Sequence, residues 1–311
     1  MSYQFSPETN YSGTPQAVML SQPPRVGRFA QTRGIGIVRH FYRVLCRFTP
    51  GLAAHLAYAQ LARPPRPALS ERHIAIRKRA RMQRLPAGKN KLAVYEWGEG
   101  PAILMVHGWG SHATHMGRMI GPLVDAGFRV VAFDAPAHGK SSGGATDLVQ
   151  FANAVAVVAR HVGPLHCVIG HSFGAAMAMY AARDWGVVTG KMVLISSFNH
   201  CNWFLQMFAE HVGLTPAVLD RMRQMMANLY GGRLKWSRMS VVDMARQAGF
   251  PMLFVHDEDD QEIPFDHSLA LVTALKDAQF KATSGLGHHR VVRHPEVIRD
   301  VVAFVSHQQV E

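Results

Sequence analysis

The stretch Leu165-His166-Cys167-Val168-Ile169 followed by Gly170-His171-Ser172-Phe173-Gly174 decides the reading of this chain. An apolar run ends on a glycine-flanked serine, and the small-residue series Ala175-Ala176-Met177-Ala178-Met179 continues from it. A serine at such a junction sits on a sharp strand-to-helix turn with its hydroxyl exposed. Glycines on both sides suit that turn, because a strained elbow leaves no room for a Cβ beside the nucleophile. Gly-x-Ser-x-Gly also arises by chance in loops, so the rest of the chain has to supply the test.

Outward from the elbow, strands and helices alternate. Ala102 to Val106, Phe128 to Phe133, Leu165 to Ile169, Met192 to Ser196, Met252 to His256 and Gln279 to Thr283 are short apolar runs of the kind buried on both faces of a parallel sheet. Helical patterns lie between them at about 114–126, 148–162, 173–184, 266–276 and 295–306. Arg77 to Leu85 and Lys91 to Trp97, around Ala87-Gly88-Lys89-Asn90, read as an antiparallel hairpin. The expected fold is α/β, a mostly parallel doubly wound sheet of roughly eight strands with active groups at the strands' carboxyl ends.

One interval breaks the alternation. About 50 residues separate Phe198 from Phe250 where a crossover helix needs far fewer, so residues 198–250 read as a helical insertion. Its Trp203, Phe204 and Met207, with further methionines, either form an adaptable apolar substrate pocket under a lid or pack the insertion onto the body.

At 311 residues, 48% hydrophobic and 17% charged, the chain is long enough for a sizeable core. Its net charge of +12 is unevenly placed. Residues 1–90 hold 15 Lys/Arg against 2 Asp/Glu, a balance of +13, and the remainder is close to neutral. The basic character therefore belongs to an arm, residues 1–70, and no nucleic-acid-reading module is visible in the body, residues 71–311. The arm reads as a Ser/Gln/Pro/Thr-rich disordered tail over 1–24, a basic amphipathic helix from Ile35 to Phe48, a second helix from Gly51 to Ala62, and an extended Arg63-Pro64-Pro65-Arg66-Pro67 connector. The first helix either lies on an anionic membrane surface, with Arg39, Arg43 and Arg47 at the headgroups and Phe41, Leu45 and Phe48 below, or packs its apolar stripe on the body.

Three cysteines without metal or redox spacing, no secretory signal and no long apolar run point to a reducing, cytoplasmic setting, with peripheral membrane contact through the arm as the open alternative. His112 and His115 stand three apart, but no third ligand is apparent nearby, so no metal is expected.

A serine nucleophile needs a base, an orienting acid and oxyanion donors. After the strand Met252 to His256 comes Asp257-Glu258-Asp259-Asp260-Gln261-Glu262-Ile263-Pro264, and after Gln279 to Thr283 comes Gly285-Leu286-Gly287-His288-His289. The order Ser, acid, His at successive strand ends is that of an α/β-hydrolase. From about residue 77 onward the chain resembles that family's serine esterase and lipase members. His107-Gly108-Trp109-Gly110 is similar to their oxyanion loop, and Asp134-Ala135-Pro136-Ala137-His138-Gly139-Lys140-Ser141 to their D-x-P-x-H-G-x-S segment.

The resemblance implies Ser172 as nucleophile, His288 as general base and acid, and Asp260 as the acid that orients the imidazole, with Asp259 the competing choice. It also implies backbone N–H groups of Trp109 and Phe173 as oxyanion donors, no cofactor and no metal. The expected function is hydrolysis of a small-molecule carboxylic ester with an apolar acyl or alcohol part. The same triad also serves amidases, thioesterases, C–C hydrolases and acyltransferases. A rival of another class is a non-catalytic hydrolase-fold protein that binds a membrane or a partner.

Overall fold

The computed structural model describes residues 34–275 and 278–307. The tail expected at 1–24 lies outside them. An eight-stranded sheet organises the rest, formed by β1 (Arg81–Ala87), β2 (Asn90–Trp97), β3 (Ala102–Val106), β4 (Arg129–Asp134), β5 (Leu165–His171), β6 (Thr189–Ile195), β7 (Met252–Asp257) and β8 (Gln279–Thr283). Its order is β1-β2-β4-β3-β5-β6-β7-β8. β2 pairs antiparallel with both β1 and β4, and every later pairing is parallel. The strand order reverses on either side of β3, so the crevice at the carboxyl ends of β3 and β5 is where this topology places a site.

Both faces are covered, as buried parallel strands require. On one face lie α4 (Ile120–Asp125) and α10 (Pro295–Ser306), which contribute Leu123, Val301 and Phe304 to a core with Ile103, Ile169 and Val255. On the other lie α5 (Leu148–Val162) and α6 (Phe173–Trp185), joined in one core by the arm and by the insertion. Asp147 starts α5 in extended conformation, its Oδ1 accepting from the N–H groups of Val149 and Gln150 at 3.0 Å.

The insertion folds as α7 (Cys201–Val212), α8 (Pro216–Leu229) and α9 (Val241–Arg246). Met222, Met226, Met239 and Met244 are buried in the shared core, so these four hold the insertion to the body. The arm contributes α1 (Ile35–Phe48) and α2 (Pro50–Leu61). Tyr42, Ala53, Ala54, Ala57 and Leu61 face inward, with Val38 and Leu45 partly buried behind them. Two details differ from the membrane-facing arrangement read from the sequence. Leu45 points to the body, and the Arg39 Nε donates to the His211 carbonyl at 2.9 Å. The Pro-rich connector is docked as well, Arg66 donating to the carbonyls of Ala137 (2.9 Å), Ser141 (3.2 Å) and Gly143 (2.7 Å).

The hairpin begins later than expected. Arg77 belongs to a helix, α3 (Glu71–Lys78), and not to the first strand, because Ser70 caps that helix through the His73 N–H and Glu71 occupies its acid-favouring first turn. The consequence is a buried ion pair. The Arg77 guanidinium reaches Asp134 Oδ1 at 2.9 Å and the Tyr95 hydroxyl at 3.0 Å. Asp134 also accepts from the N–H groups of Ala113 (2.7 Å) and Lys140 (2.8 Å). Removing one partner strands the other charge, which typically costs several kcal/mol. Arg77→Ala should therefore lower stability to urea by about 3–5 kcal/mol, whereas removing the exposed partner of the Arg81–Glu96 pair, Arg81→Ala, should leave the urea midpoint nearly unchanged.

Candidate active site

Ser172 follows β5 directly and starts α6 at φ 57° and ψ −128°, one of three non-glycine residues with positive φ among those described. Such a conformation costs roughly 1–3 kcal/mol and persists only where its surroundings dictate it. The surroundings do. A Cβ on Gly170 would lie 2.5 Å from the Ala175 Cα, and one on Gly174 would lie 2.3 Å from the His107 carbonyl oxygen. The Ser172 N–H is tied to the Ile195 carbonyl at 2.8 Å. The two glycines thus let the elbow press against β3 and its own helix, and the serine is held at the carboxyl end of β5.

The loop after β3 lies against this serine: a Cβ on Gly108 would sit 3.1 Å from the Ser172 Cβ and 3.5 Å from its Oγ. Two histidines fix that loop. The Nδ1–H of His107 donates to the Gly108 carbonyl at 2.7 Å while its Nε2 accepts from the Ala135 N–H at 3.0 Å. His138 Nδ1 donates to the Pro136 carbonyl at 2.9 Å and its Nε2 accepts from the Gly110 N–H at 3.0 Å. Both rings use one nitrogen to donate and the other to accept, which only the neutral form can do. Burial accordingly pushes His107 well below its ordinary value and His138 down to about 4. These contacts hold the segment carrying the Trp109 N–H beside Ser172.

The acid and the imidazole meet across β7 and β8. His288 Nδ1 donates to Asp260 Oδ2 at 2.7 Å, and both side chains are buried. Asp260 Oδ1 accepts from the N–H groups of Glu262 (2.8 Å) and Ile263 (2.9 Å), and the buried His256 Nε2 stands 3.3 Å from Oδ2. Burial works to raise the Asp260 pKa, but the bonds from His256 and His288 outweigh it and hold the group ionised. Asp259 is placed differently: its Oδ2 accepts from the Gly285 N–H at 2.7 Å. His288 reaches the elbow through its backbone, its carbonyl accepting from His171 Nε2 at 3.0 Å, and the two rings lie 4.7 Å apart.

Two carboxylates here were not singled out from the sequence. Asp257 accepts from the Thr283 hydroxyl (2.7 Å) and the N–H groups of Leu286 (3.1 Å) and Gly287 (2.8 Å), so it holds the loop that presents His288. Glu262 pairs with His289 Nε2 at 2.8 Å and stands 3.8 Å from His288 Nε2. The only signal for either was membership of the acidic run, since the turn decides which carboxylate faces which group.

Of the pocket residues read from the insertion, Phe204 comes to the site. Its ring is 4.7 Å from Phe173 and 5.5 Å from Trp109, and Trp109 is 5.0 Å from Phe173. Trp203 sits one layer back against Phe198 (5.8 Å) and His267 (4.8 Å), and Met207 is partly buried against the core. His115 and His171 stack at 5.2 Å, and burial drives both well below their ordinary value. Among the described residues, no group of three or more His, Cys, Asp or Glu is arranged to hold a metal ion.

A serine on a strained elbow, an adjacent N–H-bearing loop and a carboxylate-held imidazole form the working parts of a hydrolase. Residues 103–301 match the model of the alpha/beta hydrolase family, and the chain belongs to that family. It is 26% identical over 260 residues to a non-heme haloperoxidase of Rhodococcus erythropolis, covering 68% of this chain and 94% of the relative. Over 247 residues it is 28% identical to a 2-hydroxy-6-oxononadienedioate/2-hydroxy-6-oxononatrienedioate hydrolase of Comamonas testosteroni (64% and 85% covered). A bifunctional esterase/perhydrolase of Acinetobacter calcoaceticus is 27% identical over 259 residues (68% and 94% covered).

The electrostatics separate His288 from its neighbours. Burial lowers its pKa, yet the bond and charge of Asp260 and the charge of Glu262 together raise it above the ordinary 6.5. Burial drives His112, which has no such compensation, and His267, against which the charge of Asp260 is too weak, down to about 3. In an NMR titration between about pH 5 and 8, His288 should gain its proton as pH falls, with a midpoint above 6.5, while His112, His138 and His267 stay neutral. Glu262→Gln removes a charge that favours the imidazolium, so it should move the His288 midpoint to lower pH.

Proposed function

We propose that the protein is a serine hydrolase that cleaves carboxylic esters with an apolar acyl or alcohol part through an acyl-enzyme on Ser172. The observation that carries this reading is the pair His288–Asp260, tied to the elbow through the His288 carbonyl and His171, together with the aromatic cluster of Trp109, Phe173 and Phe204 formed by the oxyanion loop, the start of α6 and the insertion. With Nδ1–H committed to Asp260, His288 presents Nε2 as a lone-pair acceptor. It takes the Ser172 hydroxyl proton as Oγ attacks the ester carbonyl, then gives that proton to the departing alcohol. The N–H groups of Trp109 and Phe173 hold the oxyanion. Losing one such donor typically costs about 3 kcal/mol of transition-state stabilisation. Water, deprotonated by the same Nε2, then releases the acid and restores the serine.

Relatives with different named activities are compatible with this machinery, and the wall distinguishes among substrates. A dicarboxylate such as the one in the name of the Comamonas relative asks for cationic partners, whereas the clustered rings of Trp109, Phe173 and Phe204 offer apolar surface. A neutral ester with an apolar acyl or alcohol part is the better fit.

The test is a panel of p-nitrophenyl esters of increasing acyl length, with thioesters and anilides beside them. The wild-type protein should hydrolyse the esters fastest and be labelled by a fluorophosphonate. Ser172→Ala should lose at least about 10⁴-fold in kcat together with the label. Labelling that survives Ser172→Ala, or turnover of anilides or thioesters in preference to every ester, would overturn the assignment.

A further inference from the structure

The arm has two apolar faces, and the body uses only one. On the inner face, Tyr42, Ala53, Ala57 and Leu61 are buried against α7, α8 and the core. On the outer face, Ile37, Phe41, Val44, Phe48, Leu52 and Leu56 follow one another at steps of three or four residues and are all exposed, Ile37 to 77% and Phe48 to 72%. A helix that only covers a core carries polar groups on its outer side. A run of large side chains in water marks a surface that meets a partner.

The charges around this face select the partner. Arg43 and Arg47 are exposed and step by four along the flank of the apolar stripe, and the Arg47 guanidinium lies over the Phe48 ring at 5.9 Å. Between Glu8 and Glu71 the sequence has no Asp or Glu at all. A second copy of the chain would bring an identical cationic surface against this one, and like charges facing across a symmetric interface repel. An apolar stripe bordered by guanidinium groups and free of carboxylates is instead the composition of a helix that lies in a lipid interface.

We propose that the outer face of α1 and α2 docks on an anionic lipid bilayer, with Ile37, Phe41, Val44 and Phe48 among the acyl chains and Arg43 and Arg47 at the headgroups. The inner face of the same unit borders the site. Tyr58 donates to Asp147 Oδ2 at 2.9 Å, the Ala62 carbonyl accepts from the Thr146 N–H at 2.8 Å, and Tyr58, Leu61 and Ala62 line a small cavity with Trp109, Phe204 and Met226. Docking would hold the aromatic wall beside Ser172 close to the lipid surface. The inference does not depend on the ester assignment, because adsorption needs no turnover.

Co-sedimentation of the full chain, as wild type and as Ser172→Ala, with vesicles of phosphatidylcholine containing phosphatidylserine tests it. Both proteins should bind, at least about tenfold more tightly than to phosphatidylcholine alone, and added salt should weaken binding. Arg43→Ala and Arg47→Ala should each weaken it about fivefold. Phe41→Ser with Phe48→Ser should nearly abolish it. All of these side chains are exposed, so circular dichroism and the urea midpoint should stay within the small range usual for surface changes. Failure of the full chain to bind, equal binding to neutral vesicles, or binding that survives the double phenylalanine change would overturn the proposal. So would a concentration-dependent dimer, seen by sedimentation velocity without lipid, that the double change dissolves.

Discussion

The left-handed backbone of Ser172 is the constraint on which the rest of the site depends. At φ 57° the chain reverses from β5 into α6 within one residue, and this is tolerable only because Gly170 and Gly174 let backbone meet backbone where any side chain would collide. Gly174 rests on the carbonyls of Val106 and His107, so the start of α6 packs directly on the end of β3 with no space for a side chain between them. The strain at the serine and the placement of the oxyanion loop are therefore one packing event. A looser turn would free both the nucleophile and the groups meant to receive its product.

Around that contact the protein sorts its histidines by hydrogen-bond economy. His107 and His138 each donate once and accept once to hold a loop, and a proton gained by either would break a bond that the loop needs. His288 alone combines a buried carboxylate on Nδ1 with a second carboxylate near Nε2. A neutral clamp and a basic catalyst can thus be built from the same side chain a few ångströms apart, because partners and burial decide the charge. The buried Arg77–Asp134 pair extends the logic, since Asp134 spends its lone pairs on backbone groups of both loops that flank the site.

Periodicity in the sequence was enough for the sheet, because strands buried on two faces are nearly all apolar, and the glycine pattern located the elbow. It failed where two local signals competed. Arg77 to Leu85 looks β-prone as a run, yet Ser70 and Glu71 start a helix that carries through Arg77, so the helix cap won and brought a cation into the core. The acidic run offered five carboxylates within six positions. The family resemblance singled out Asp260, whereas Asp257 and Glu262 acquire their tasks only through the turn that aims one at the histidine loop and the other at His289. No spacing rule encodes that aim, because it belongs to tertiary placement.

The same distinction explains why the arm could be read as either docked or free. A 3.6-residue period reports that apolar residues share a face, but α1 carries apolar residues on two, and the sequence does not say which face the body covers. The decision rests on local hydrogen bonding. Asp147 caps α5 with Oδ1 and receives two phenols on Oδ2, Tyr58 from the arm at 2.9 Å and Tyr230 from just beyond α8 at 2.6 Å. One carboxylate therefore ties the arm, the insertion and the catalytic body together, and burial with the nearby negative charge raises both phenols so that they remain donors. Because that tie fixes the inner face of α2 beside Trp109 and Phe204, anything that engages the outer face acts on a wall of the site and not on a detachable appendage.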